Sequence, residues 1–133
     1  RIESTGQIKA VYESQVGTDY NTTLHNGYLC RAWVNFDGTG TVAIRASGNV
    51  SSITDNSTGN YKINFTTAMP DANYMFCVGT ENYNNTFPRI ASLYGLGFTA
   101  LTASSIQIQN AYTSSFGSQV FEDTNIVTVA VFR

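Results

Sequence analysis

Cys30-Arg31-Ala32-Trp33-Val34-Asn35-Phe36-Asp37-Gly38-Thr39-Gly40-Thr41-Val42-Ala43-Ile44-Arg45 decides the fold. Two apolar runs flank a Gly-rich turn. Strand alternation puts Cys30, Ala32, Val34 and Phe36 on one face of the first run and Trp33 on the other. Asp37-Gly38-Thr39-Gly40 supplies residues that tolerate positive φ, so residues 41–46 should return antiparallel as a hairpin. The indole then needs a reason to stand on the face away from the core. Either a second layer of protein covers it, or it is there to touch something.

Outward from the hairpin, strand signals recur every eight to twelve residues. Ser47-Gly48-Asn49 is a break, and a short strand over residues 50–54 follows. Asp55-Asn56-Ser57-Thr58-Gly59-Asn60 reads as a polar turn. Tyr61, Ile63 and Phe65 alternate with Lys62, Asn64 and Thr66, the mark of a half-buried strand. After the turn at Met69-Pro70-Asp71-Ala72-Asn73, Tyr74, Phe76 and Val78 share one side of the next strand. Ile106 and Ile108 alternate with Gln107 and Gln109, and residues 126–132 form an apolar β-branched run expected to be covered on both faces. Seven or eight such strands predict an all-β domain, an antiparallel β-sandwich of jelly-roll-like form, over residues 28–133. Residues 1–27 read as a lead-in segment.

Composition agrees with that class. The chain has 133 residues, enough for one core. Only 12% are charged, while Asn, Ser and Thr fill roughly a third, a mix that suits solvated sheet faces and turns. Eight Tyr, eight Phe and one Trp supply ample side chains to bury, which excludes a disordered tail. The net charge is −2 and the basic residues are scattered singly, so no phosphate-backbone binder is expected. No apolar run reaches the length of a membrane helix, so no membrane insertion is expected. The chain starts at Arg1 without a Met and reads as a processed product or a fragment of something longer.

Catalytic and metal signals are weak. His25 sits in a loop by composition, and no GxSxG elbow exists. Most acids fall in turns that the chemistry of Asp explains, and Glu122 and Asp123 are adjacent, so in a strand they point to opposite faces. The segment from Asp55 to Asn60 has neither the glycine nor the terminal glutamate at the places a calcium loop requires. Cys30 and Cys77 have no metal-ligand spacing; they read as small buried hydrophobes or, alternatively, as a disulfide. Five Asn-x-Ser/Thr sequons are explained by the Asn, Ser and Thr content. No enzyme activity and no cofactor are expected.

What remains is aromatics among amides and hydroxyls. Tyr83 and Phe87 stand beside Asn84 and Asn85, and Tyr112 and Phe116 stand beside Thr113, Ser114 and Ser115. Flat rings next to amides and hydroxyls suit a sugar, whose C–H face and hydroxyls need both. The alternative is that these rings clamp long loops onto the sandwich or pack against a neighbouring subunit.

The run Cys30 to Tyr74, with AWVNFDGTGTVAI, NVSSITDNSTG and YKINFTTAMPDANY, together with the closing VAVFR, resembles a module at the ends of tailed-bacteriophage tail-fibre and related virion proteins. The likeness covers around a hundred residues and fades in residues 81–97 and 110–120. It implies an all-β, homotrimeric knob at the distal end of a fibre or appendage, located in the virion, assembled with other virion proteins and in contact with a host cell-surface glycan or receptor. It also implies an alternative, a purely structural virion component such as a capsid decoration or fibre-trimerisation domain. In a trimer, Trp33 would be buried at the subunit interface. Phage structural proteins assemble in a reducing cytoplasm, so Cys30 and Cys77 would be free thiols.

Overall fold

The computed structural model describes residues 29–81, 88–95 and 100–133. The lead-in over residues 1–27 lies outside the described residues, and Cys30–Phe132 forms a compact unit by itself. This unit is all-β and its sheets are antiparallel, with no α-helix among the described residues. Ten strands follow one another: β1 (Cys30–Asp37), β2 (Ala43–Gly48), β3 (Val50–Ser57), β4 (Asn60–Phe65), β5 (Met75–Thr80), β6 (Arg89–Leu93), β7 (Leu101–Thr102), β8 (Ser105–Thr113), β9 (Gln119–Phe121) and β10 (Val127–Phe132). One sheet has the order β2-β1-β10-β5; the other has β3-β4-β8-β6, with β7 and β9 also paired to β8.

The opening hairpin forms as its turn residues dictate. β1 and β2 pair antiparallel from Trp33↔Gly48 to Asp37↔Ala43. Gly40 takes φ 60°, and Asp37 Oδ1 accepts hydrogen bonds from the Thr39 amide and hydroxyl at 2.9 and 2.6 Å. Those two bonds, then the Arg45 guanidinium, hold the Asp37 carboxyl below its ordinary value. At the end of β2 the chain crosses to the other sheet through Asn49, whose φ of 56° is a left-handed conformation that Asn tolerates. Its side chain fixes the corner by donating to Arg31 O and Thr67 O and accepting from the Thr67 amide.

The two sheets contribute to one core. Ala32, Val34 and Phe36 of β1 and Val127, Val129 and Val131 of β10 pack with Tyr61, Ile63 and Phe65 of β4 and Ile106 and Ile108 of β8. Each set is every second residue of its strand, so in β1, β4 and β8 the alternation read in the sequence is the alternation of burial. Phe76 and Val78 pack against the same core. Phe36 meets Tyr61 edge-to-face at 5.1 Å, and Phe65 meets Tyr74 at 5.9 Å.

Several expectations are corrected. The break expected over residues 55–60 is shorter: β3 continues to Ser57 and β4 starts at Asn60, leaving a two-residue turn at Thr58-Gly59. Cys30 is not on the core face, because the register shifts between Cys30 and Ala32 and this bulge breaks the alternation. Cys77 points away from the core between Phe76 and Val78. Both cysteines are exposed and free, not buried and not bonded. In β10 the inner face is buried, but Thr128, Ala130 and Phe132 are only half-buried in the single chain. Thiol titration of the native protein, without denaturant, is therefore expected to find both cysteines; finding none would contradict their exposure.

Candidate functional site

The face of the four-stranded sheet that points away from the core is organised in rows by strand register. One row runs Gly48–Trp33–Ala130–Cys77, and the next runs Ala46–Asn35–Thr128–Gly79. Phe132 and Met75 pair in a third row, and Met75 is 60% exposed. Small residues flank Trp33 and Asn35. The result is a hollow of about 450 Å³ across β1, β10 and β5, lined by Trp33, Asn35, Cys77, Gly79, Thr128 and Ala130 together with the strand backbone. Among the described residues no charged side chain lines it.

Trp33 is 44% exposed on this face. A Cβ on Gly48 would stand 2.4 Å from Trp33 Nε1 and 2.9 Å from Cδ1. Glycine at 48 thus lets the pyrrole edge of the indole lie down on β2, which fixes the ring beside the hollow. Thr128 leans over Gly79 in the same way: its hydroxyl donates to Gly79 O at 3.4 Å and would lie 2.7 Å from an added Cβ. Asn35 Oδ1 is shielded from solvent and has no hydrogen-bond partner. An unpaired buried acceptor costs about 1–3 kcal/mol.

Of the loop residues expected to bind a ligand, Tyr83, Asn84, Asn85 and Phe87 lie outside the described residues. Tyr112 is not in a loop but near the end of β8, paired with Arg89 of β6 and Val120 of β9. The Arg89 guanidinium stands 5.1 Å over its ring and is bound to Glu122 at 2.6 Å, so Tyr112 is held in a stack with Arg89. Phe116 sits in the turn between β8 and β9 and is 93% exposed. That turn is closed by the Ser114 amide donating to Ser118 O and by Gly117 at φ 77°.

A second polar cluster lies at one end of the core. The Tyr61 hydroxyl is 2.6 Å from Asp123 Oδ1 and 3.1 Å from Gly38 O. Asp123 Oδ1 also accepts from the Gly59 amide, and buried Asn110 donates to Thr124, which meets Thr80 at 2.8 Å. Burial first, and then the hydrogen bond to Asp123, push the Tyr61 phenol far above its ordinary value. Tyr61 is therefore a permanent donor that ties the β1–β2 turn to the loop at Asp123, suited to holding structure rather than to moving protons. Glu122 and Asp123 go to separate partners, Arg89 and Tyr61. Among the described residues no group of three or more His, Cys, Asp or Glu is placed to hold a metal ion.

Asn35 and its ring of small neighbours were not singled out from sequence. The glycines and alanines at 46, 48, 79 and 130 are visible there, but nothing local aligns them. Comparison with family models, curated proteins and solved structures finds no match to this chain.

Proposed function

We propose that this chain is a non-catalytic attachment module: a β-sandwich knob, carried as a homotrimer at the distal end of a bacteriophage tail fibre or appendage, that contacts the host cell surface. The observation that carries the reading is the central, exposed Trp33 beside an uncharged hollow on a rigid sheet face. The sequence resemblance of residues 30–74 to phage fibre modules points the same way, and the shared core of the two sheets supports the sandwich. Three copies on one knob would raise a weak single-site affinity by avidity.

A second reading is a purely structural virion component. Exposed Met75 and Trp33 on one sheet face favour it, since a trimer built through this face would cover both. The two readings part in one experiment. The purified domain is added to host cells before phage, and its mass is measured by light scattering. The attachment reading expects a mass near three chains and adsorption reduced by about tenfold or more at micromolar domain, the range in which an avid trimer should saturate its receptor. A trimer that leaves adsorption unchanged makes the module structural.

A further inference from the structure

We infer that the hollow beside Trp33 is a binding site for a single neutral pyranose unit of a saccharide. This deepens the attachment reading and rests on it only for where the sugar comes from. The hollow spans three strands and lies open to solvent, so it can cover one face of a flat ring but cannot enclose an apolar molecule as deep ligand clefts do. A pyranose presents such a face, its axial C–H groups, and keeps its hydroxyls at the rim. The indole supplies the matching surface, and the bare backbone at Gly48 lets its pyrrole edge lie against β2 beside the hollow.

The polar groups fit hydroxyls as well. Turning the Asn35 amide breaks no bond at Oδ1 and offers a donor and an acceptor side by side, the pair that a hydroxyl with both roles requires. Thr128 Oγ1, engaged once as a donor to Gly79 O, keeps lone pairs for a second hydroxyl. The described lining carries no charge, which selects against uronic acids, sialic acids and phosphorylated sugars and in favour of hexoses and N-acetylhexosamines.

The test uses the full chain and its own reporter, since Trp33 is the one tryptophan present. Glucose, galactose, mannose, rhamnose, N-acetylglucosamine and N-acetylgalactosamine, and oligosaccharides of each, are titrated while indole emission is recorded. At least one should change the emission saturably, with a Kd that moves less than about twofold between low and high salt, because no ion pair forms. By saturation-transfer NMR with that sugar, Trp33→Phe should retain binding and Trp33→Ala should lose it. Gly48→Ala, which displaces the indole without touching the core, should weaken it about tenfold. Circular dichroism of each variant separates lost binding from lost fold.

Emission that ignores every sugar overturns the proposal. So does emission that changes only with protein concentration, in step with mass, since a second copy then covers the face. If no sugar binds but the domain still blocks phage adsorption, the saccharide site fails and the attachment reading stands. If a sugar binds and adsorption is untouched, the site stands and the attachment reading fails.

Discussion

Tyr61→Ala is expected to leave the domain largely unfolded at room temperature. Tyr61 is among the largest fully buried side chains, and its ring packs edge-to-face on Phe36. Removing a buried aromatic ring costs about 3–5 kcal/mol in transfer and cavity terms. Losing the hydroxyl as well takes its hydrogen bond from Asp123 Oδ1, which keeps only the Gly59 amide, and from Gly38 O, which adds about 1–3 kcal/mol. Against a total stability of about 5–15 kcal/mol, that sum is most of what holds the fold. Tyr61→Phe separates the two parts: it keeps the ring and should lower Tm by about 3–10 °C. A Tyr61→Ala protein that melts within a few degrees of the parent would remove Tyr61 from the centre of the core.

The same residue sets an alkaline limit. Burial raises Tyr61 far above its ordinary value and pushes Tyr74 up to about 12. In the unfolded chain both phenols titrate near ~10. The folded form thus retains protons that the unfolded form releases, so their contribution is complete below pH ~10 and declines as the pH rises from there. Thermal melts from pH 8 to 12 should show Tm falling in the upper part of that range, and the fall should be shallower in Tyr61→Phe.

Gly59→Ala is expected to cost nearly as much as a core deletion, although Gly59 is a turn residue. Its φ is +68°, and an added Cβ would lie 2.5 Å from Asn110 O, 2.9 Å from the Glu122 amide nitrogen and 3.0 Å from Glu122 O. All three are backbone atoms that cannot rotate aside. The glycine is pinned where it is, since its amide donates to Asp123 Oδ1 and its carbonyl accepts from the Asn110 amide, each at 2.7 Å. The left-handed conformation costs an L-residue about 1–2 kcal/mol, and the overlap adds about 1–3 kcal/mol more. Gly40→Ala is the control: its φ is +60°, but nothing lies within 4 Å of the added Cβ, so only the conformational part applies. Urea denaturation should place Gly59→Ala well below Gly40→Ala. Equal midpoints would mean that the close approach of β8 and the residue 122 loop carries no weight.

Sequence alone determined what strand period and turn chemistry determine. The hairpin from Cys30, the buried sets in β1 (Cys30 apart), β4 and β8 and the outward Trp33 all follow from period-two alternation and from Asp and Gly at the turn, which act between neighbours in the chain. The weak or interrupted patterns were not legible. β6, β7 and β9 are short, and each gains its place only by pairing with β8, which also drew Tyr112 into a strand where its own surroundings read as loop. The exposure of Cys30 depended on a single bulge against β10, a strand about a hundred residues away. The candidate site belongs wholly to tertiary structure. Gly48, Trp33, Ala130 and Cys77 form a row because β10, the last strand, inserts between β1 and β5, and that register is set by packing in the core rather than by anything adjacent in sequence.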